Sequence, residues 1–442
     1  MKKVAFYTLG CKVNQYESQL LADMFKNKGW QVVSEEDPAD VYIVNSCSVT
    51  RLADRKSRQY LRRMKRVNPS ACMIIAGCYP QTNPDEVREI EEVDIILGTA
   101  DKLRAVELAE EFLEGRDVPS CTVEKPYADS AVYVDHQGCG ASESRTRALI
   151  KVQEGCNRFC SYCVIPYARG PIRSRPLESI LSEAEDLIGR GYHELVLTGI
   201  NTALYGTEGG SSEPSGIHNV IAAISQLGGD FRIRLSSLEP TVVNAAYVEK
   251  LFAFDKLCHH LHLSVQSGSD RIIKAMNRRY TSEEYMDIVR VLRSFDPDYG
   301  ITTDIITGFP GETEEDFEQS LELVRRAKYL KVHGFPYSRR PHTKAADMAG
   351  QIAPPVKKER NRILIAEADR VSLEFRQGLE GKPMRVLAEE QTEVEGKLLW
   401  KGHASNYTPV YFPWDGDIAN TFIDLTAAEP VLDGVYGRKE NQ

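Results

Sequence analysis

Through the first hundred residues, short apolar runs alternate with amphipathic stretches. VAFYTLG (4–10), DVYIVNSC (40–47), CMIIAGC (72–78) and VDIILG (93–98) read as buried strands, and ESQLLADMFKNKGW (17–30) reads as a helix stopped by glycine. Strand–helix alternation of this kind predicts a parallel α/β sheet domain over residues 1–115. Periodicity fades across 116–141, where Asp, Ser, Gly and Pro punctuate a linker. The alternation resumes at RALIKVQ (147–153) and continues through HELVLTG (193–199), FRIRLSS (231–237), CHHLHLSVQSG (258–268), GITTDIITGFPG (300–311) and HGFPYS (333–338). Helical patterns such as LESILSEAEDLIGRG (177–191) and TSEEYMDIVRVLRSF (281–295) lie between them. Six units in about 220 residues predict a partial (β/α)6 barrel, TIM-like but open, over 142–371. Five short strand-like pieces separated by Gly and Asp turns then predict a small antiparallel β-barrel over 372–440.

The chain has 442 residues, 42 % hydrophobic and 27 % charged, an ordinary globular balance for several domains. No N-terminal stretch reads as a signal peptide and no apolar run approaches a membrane span, so a cytoplasmic protein without a membrane partner is expected. Ten cysteines in a reducing compartment then read as metal ligands plus buried spares rather than as bridges.

Three of the ten, Cys156, Cys160 and Cys163, are spaced C-x3-C-x2-C in EGCNRFCSYCVIPYARG. Three thiolates can hold three irons of a cubane cluster and leave the fourth iron open to a small chelating molecule such as S-adenosylmethionine. A structural zinc site wants four ligands in close pairs. Only Cys139 lies near, and no His falls within loop reach. The three cysteines follow the first barrel strand, so they fall at the C-terminal face, where barrel chemistry sits. Phe159 and Tyr162 flank them and either shield a cluster, packing on the cofactor, or simply fill core. At later strand ends, Thr198, Gly199 and Asn201, then Ser236, Ser237 and Glu239, then Gln266, Ser267 and Asp304, are candidates for cofactor or substrate contact.

Cys11, Cys47 and Cys78 each stand at or just past the end of a predicted N-terminal strand. Adjacent strands would bring the three together as a second three-thiolate site; otherwise they are buried structural cysteines. Cys72, Cys121, Cys139 and Cys258 have no such placement and read as structural or incidental.

The net charge of −9 argues against general nucleic-acid affinity, so any such role needs local basic surface. RLADRKSRQYLRRMKR (51–66) offers it: Arg51, Arg55, Lys56, Arg58, Arg62, Arg63, Lys65 and Arg66 against the single Asp54. An apolar stripe of Ala53, Tyr60, Leu61, Met64 and Val67 would turn these charges outward as a phosphate-tracking face, or as a merely solvated one. Arg278 and Arg279, near Lys274, form a smaller patch. The stretch from Arg376 onward carries seven Lys/Arg against eleven Asp/Glu. Its Trp400, Tyr407, Tyr411, Phe412 and Trp414 could stack on bases or fill a barrel core.

Taken together, TLGCKVNQYES (8–18), VNSCSVT (44–50), AGCYPQ (76–81), GCNRFCSYCVIPYARG (155–170), VLTGIN, LSVQSGSD and TGFPGET resemble the methylthiotransferases, a branch of the radical S-adenosylmethionine enzymes. The C-terminal segment is similar to a TRAM domain. Lys12, Val13 and Asn14 after Cys11 resemble the type acting on threonylcarbamoyladenosine beside the tRNA anticodon. The isopentenyladenosine type usually has Gln-Met-Asn there, and the type acting on a ribosomal protein aspartate Pro-Lys-Asn. The resemblance implies two 4Fe-4S clusters: an auxiliary one on Cys11, Cys47 and Cys78 and a radical one on Cys156, Cys160 and Cys163. It implies no catalytic residue beyond these ligands. It further implies S-adenosylmethionine as methyl and radical source, the anticodon stem-loop of tRNA as substrate, an electron donor such as a flavodoxin or ferredoxin, and a sulfur donor. The chain departs from the family at His342 and Lys344, where Gly and Pro are usual.

Overall fold

The computed structural model describes residues 1–123, 133, 135, 146–208 and 216–439. Cys139 and most of the expected 116–141 linker lie outside the described residues. The chain forms two compact units that do not follow chain order. One comprises 1–142, 149–179 and 338–346; the other comprises 143–148, 180–337 and 347–442.

In the first unit, strands β1 (Lys3–Thr8), β2 (Gln31–Val33), β3 (Val41–Ser46), β4 (Cys72–Gly77), β5 (Ile95–Leu97) and β6 (Cys121–Thr122) form one parallel sheet in the order β2-β1-β3-β4-β5-β6. Helices cover both faces: α1 (Lys12–Asn27), α2 (Arg51–Val67), α3 (Cys78–Thr82), α4 (Pro84–Arg88) and α5 (Ala105–Leu113). Alternate residues of each strand enter different cores, as the two-residue period of a strand requires. Val41 and Ile43 join Leu21, Phe25 and Leu108 on the α1/α5 face, whereas Tyr42 and Val44 join Tyr60, Leu61 and Met64 under α2. The strand order reverses direction between β1 and β3, and such a switch point opens a crevice beyond the strand ends. Cys11 follows β1 and Cys47 follows β3, so the two flank that crevice.

In the second unit, Glu194–Thr198 pairs in parallel with Arg232–Leu235. Ser237–Leu238, His260–Leu263, Gly300–Thr307 and Lys331–Pro336 continue as parallel neighbours. The expected strand at 258–268 is confined to His260–Leu263, because Gln266 turns at φ +68°. Helix Pro354–Gln377 then runs past the expected boundary at 372. Five strands beyond it (Pro383–Val394, Lys397–Ala404, Pro409–Phe412, Phe422–Val431 and Gly434–Arg438) pair in a ring. The expected all-antiparallel pairing is corrected at one seam. The tight turn at Leu432–Asp433 sends the last strand back beside Pro409–Phe412, and these two run parallel.

Trp400, Tyr411 and Phe412 are buried in this barrel, so the base-stacking alternative fails for them: a small barrel must fill its core with large side chains. Trp414 packs against the same core, and Tyr407 stacks between His260 and His403. Beneath the second unit's parallel strands, Glu194, fully buried, accepts from Arg232 Nε at 2.6 Å and Arg234 Nε at 2.7 Å. The remaining guanidinium donors reach backbone carbonyls of His403 (2.9 Å) and Ser405 (3.0 Å), which docks the small barrel on this ion pair. Glu194→Gln leaves two arginines buried against no charge. It is expected to cost about 3 kcal/mol in guanidinium unfolding, because stripping one partner from a buried pair is far more damaging than never having had the pair.

Candidate metal centres and cofactor site

β1, β3 and β4 are adjacent, and Cys11, Cys47 and Cys78 follow them directly, so the sheet gathers the three thiols at one end. Cys11 is exposed; Cys47 and Cys78 are buried. Gly10 sets the approach. At φ +101° a side chain there would be strained, and a Cβ would stand 2.5 Å from Cys47 Cβ and 2.8 Å from its Sγ. Asn14 stitches the ends together, donating to Leu9 O at 2.7 Å and Ser46 O at 2.9 Å, while Asn45 donates to Asn14 O at 2.8 Å. Cys11 caps α1 without a side-chain hydrogen bond, and Cys78 opens α3, so the positive ends of both helices lie at the thiols.

Burial pushes the Cys47 thiol up to about 12, with Cys78 and Cys11 adding to the effect. Burial also holds the Cys78 thiol above its usual range, Arg169 and Lys102 offsetting only part of the rise. A metal that binds here must displace protons.

Behind the thiols lies a buried ion network. Glu17 accepts from Lys102, from Lys151 at 2.9 Å and from Arg169 at 2.9 and 3.1 Å. Glu154 accepts from Arg169 at 2.8 Å and pairs with Lys151. Arg169 also donates to Asn14 Oδ1. Burial alone would raise the Glu17 carboxyl; Arg169, Lys102 and Lys151 overcome it and hold the group well below the usual carboxylate range. Glu154 behaves likewise and falls to about 2.

Arg169 closes the short helix α6 (Ile165–Arg169), which follows Cys163 and packs on α3. The second cysteine loop is thus fastened to the first. Cys156, Cys160 and Cys163 are half-buried. Cys156 N donates to Gly170 O at 2.8 Å, and Cys163 N to Cys160 O at 3.0 Å. Gly155, at φ +73°, leaves no space for a side chain: its Cβ would meet Pro171 O at 1.8 Å. Phe159 turns the loop in the left-handed region at φ +48°, a costly setting for an aromatic residue. Its ring, 46 % exposed, stands edge-on to exposed Tyr167. Tyr162 is partly buried.

The segment 338–346 completes this unit. Ala345 N donates to Ser161 O at 2.7 Å, and Arg340 pairs with buried Asp54 at 2.6 Å. His342 lies at φ +65°, the backbone shape that favours the family's glycine, and Lys344 opens a short helix, where proline is favoured.

Among the described residues no three Cys, His, Asp or Glu are gathered tightly enough to hold a single metal ion. Each set offers three thiols and no fourth protein ligand from its own loop, the donor chemistry that a cubane with one open iron would take. Arg169 Nε is buried with no hydrogen-bond partner among the described residues, beside the thiols that would turn anionic.

In the second unit, Thr198 ends its strand buried and Gly199 follows it. Asn201 donates to Glu239 at 2.8 Å. Buried Ser236 has no partner for its Oγ among the described residues. Gln266 is buried, its backbone bonded to Asp304 O and Ile306 N. Arg278 requires correction as a surface RNA contact. Its side chain is 7 % exposed and faces Glu239 at 3.6 Å, so it belongs to this polar cluster, while Arg279 stays exposed.

The basic helix also differs from expectation. Its buried face is Asp54, Ser57, Tyr60, Leu61 and Met64, and Val67 is exposed. Arg58, Arg62, Arg63 and Lys65 pair with Glu86, Glu92, Glu36 and Asp94. Arg51, Arg55, Lys56 and Arg66 remain exposed without a carboxylate partner among the described residues. The sequence reading missed Glu17, Lys102, Lys151, Glu154 and Arg169, and it singled out Asn14 without foreseeing that Asn14 bridges two strand ends. One signal was available: Asn14, Glu17 and Ser18 put polar groups on the face of α1 that also buries Leu21.

Residues 3–98 match an uncharacterized protein family, UPF0004, and residues 150–324 match the radical SAM superfamily. The chain is 38 % identical to the threonylcarbamoyladenosine tRNA methylthiotransferase MtaB of Bacillus subtilis, over 99 % of this chain and 97 % of that one. With the Thermotoga maritima protein of the same name it shares 40 % identity, over 93 % and 90 %. A tRNA-2-methylthio-N(6)-dimethylallyladenosine synthase of Pelotomaculum thermopropionicum is 34 % identical, over 96 % and 95 %. Among solved structures, the radical S-adenosylmethionine methyltransferase TsrM of Kitasatospora setae shares the fold, with a TM-score of 0.58 at 16 % identity over 78 % and 77 %.

The ion network carries a pH signature. The Glu154 carboxyl is depressed from 4.5 to about 2, so its contribution to folding is complete above the ordinary carboxylate range and is lost as pH falls from about 4.5 toward 2. Unfolding midpoints of metal-free protein should drop across that window, and Glu154→Gln should flatten the drop while lowering stability at pH 7.

Proposed function

The chain belongs to the radical S-adenosylmethionine methylthiotransferases, and we propose that it converts N6-threonylcarbamoyladenosine beside the tRNA anticodon to its 2-methylthio derivative. The observation that carries this reading is near-full-length kinship at 35–40 % with proteins named for that reaction, against 33–34 % for those named for the dimethylallyl substrate. Lys12, Val13 and Asn14 after Cys11 favour the same choice. The relatives named above all carry names for a tRNA substrate rather than a ribosomal protein.

Cys156, Cys160 and Cys163 would hold the radical cluster, and Cys11, Cys47 and Cys78 an auxiliary one. The bound groups supply one-electron cleavage of S-adenosylmethionine and the sulfur and methyl delivered to the base. The protein's own part is positional. Gly10 and Asn14 hold the ends of β1 and β3 in contact, Gly155 lets the second loop lie flat on its own backbone, and α3 against α6 fixes one loop to the other. Asn201, Ser236, Glu239 and Gln266 are candidate contacts for S-adenosylmethionine, and Phe159 and Tyr162 are candidate shields of the radical cluster. No helix of the described residues is long and apolar enough to cross a membrane. A tRNA substrate and six thiols that must stay reduced fit a cytoplasmic setting, with a flavodoxin or ferredoxin as electron source and a separate sulfur donor.

The two cysteine sets should separate in a single assay. Reduced, reconstituted protein with S-adenosylmethionine and tRNA should yield 5′-deoxyadenosine and the methylthio nucleoside, read by mass spectrometry of digests. Cys156→Ala should abolish both products. Cys47→Ala should keep 5′-deoxyadenosine and lose the methylthio product. Product found on dimethylallyladenosine or on ribosomal peptides instead would overturn the substrate assignment.

Of the basic helix, only Arg51, Arg55, Lys56 and Arg66 keep charge to spare for phosphate. Replacing Arg55 and Lys56 by Ala should weaken tRNA binding roughly tenfold and lower the log–log salt slope by about 1.5, as expected for two lost phosphate contacts. Arg63→Ala, already paired to Glu36, should change that slope little.

A further inference from the structure

Arg169 belongs to the radical-cluster loop by sequence and to the auxiliary thiols by position. It lies six residues after Cys163 and is 1 % exposed. It is bonded to Asn14, Glu17 and Glu154 and stands beside Cys78 and Cys11. Its ion-paired set holds three cations, Lys102, Lys151 and Arg169, against two carboxylates, Glu17 and Glu154. Among the described residues that leaves one buried positive charge without a carboxylate, an arrangement that costs folding free energy unless something anionic answers it. Three thiolates on an oxidised four-iron core carry a net of one negative charge, and reduction adds another. The Arg169 side chain reaches Cys78, and its buried Nε has no hydrogen-bond partner among the described residues.

We infer that Arg169 is the electrostatic anchor of the auxiliary cluster: its charge, delivered from the other cysteine loop, balances the anionic cluster and raises its reduction potential. The inference rests on the proposal that Cys11, Cys47 and Cys78 hold a cluster. Arg169 is a positioning residue in this role and makes no bond to iron. A nearby positive charge favours the more negative, reduced state, so its removal lowers the potential.

The test uses the full chain with Cys156, Cys160 and Cys163 replaced by Ala, so that only the auxiliary site loads. Iron, sulfide, the electron paramagnetic resonance of the reduced cluster and its dye-mediated redox titration are the readouts. Arg169→Lys should load as the parent does and keep the reduction equilibrium within about threefold. Arg169→Gln should lower that equilibrium at least tenfold, about 59 mV for one electron. Adding Glu17→Gln to Arg169→Gln restores the net charge and should recover most of the loss, which a packing role would not. If Arg169→Gln loads no cluster, recovery of loading in that double variant supports the anchor, and failure of both the Lys and the double variant overturns it. An unchanged potential in Arg169→Gln overturns the inference alone. Absence of any cluster in the parent removes the two-cluster proposal and the anchor together.

Discussion

One buried carboxylate governs the first unit. Glu17 sits where α1 passes the ends of the parallel strands, and three cations from three separate stretches of chain converge on it: Lys102 before α5, Lys151 on the first barrel strand, and Arg169 behind the radical loop. No apolar contact could order these stretches so specifically. Buried charges must find partners of good geometry, and each one that does excludes many alternative packings. The unit's discontinuous membership follows from this arrangement. Residues 149–179 join the N-terminal sheet because Lys151, Glu154 and Arg169 are tied there.

The sheet uses its strand ends in a way that parallel topology makes easy. Side chains past the ends of neighbouring strands are close in space though far apart in sequence. Here the order β1-β3-β4 collects thiols from positions 11, 47 and 78, with Cys11 at the N-cap of α1 and Cys78 at the first residue of α3. The radical loop needs no such gathering. Its three cysteines lie within eight residues, and Gly155, Phe159 and Gly170 in the left-handed region supply its turns.

Much of this was legible beforehand. Strands 41–46 and 72–77 announce themselves as continuous apolar runs, because a sheet covered on both faces has no polar side. The convergence of Cys11, Cys47 and Cys78 could be expected from strand alternation. The neighbour order that realises it could not, since pairing is set by tertiary packing. The fate of individual charges was hidden for the same reason. Arg58, Arg63 and Arg278 look alike in sequence, yet the first two meet carboxylates from other elements and the third turns inward to Glu239. Tryptophan and tyrosine near the C-terminus carried two meanings, and only burial of Trp400 and Tyr411 chooses core.

The segment 338–346 has a temporal consequence. Its Arg340 neutralises buried Asp54, and its Ala345 holds the radical loop at Ser161. A ribosome that has already released residue 179 must add 167 more before this piece emerges, which takes roughly 10–30 s at about 5–20 residues per second. Until then the nascent chain displays both cysteine sets without their last support. That interval is when the thiols are most open to oxygen and to adventitious metal.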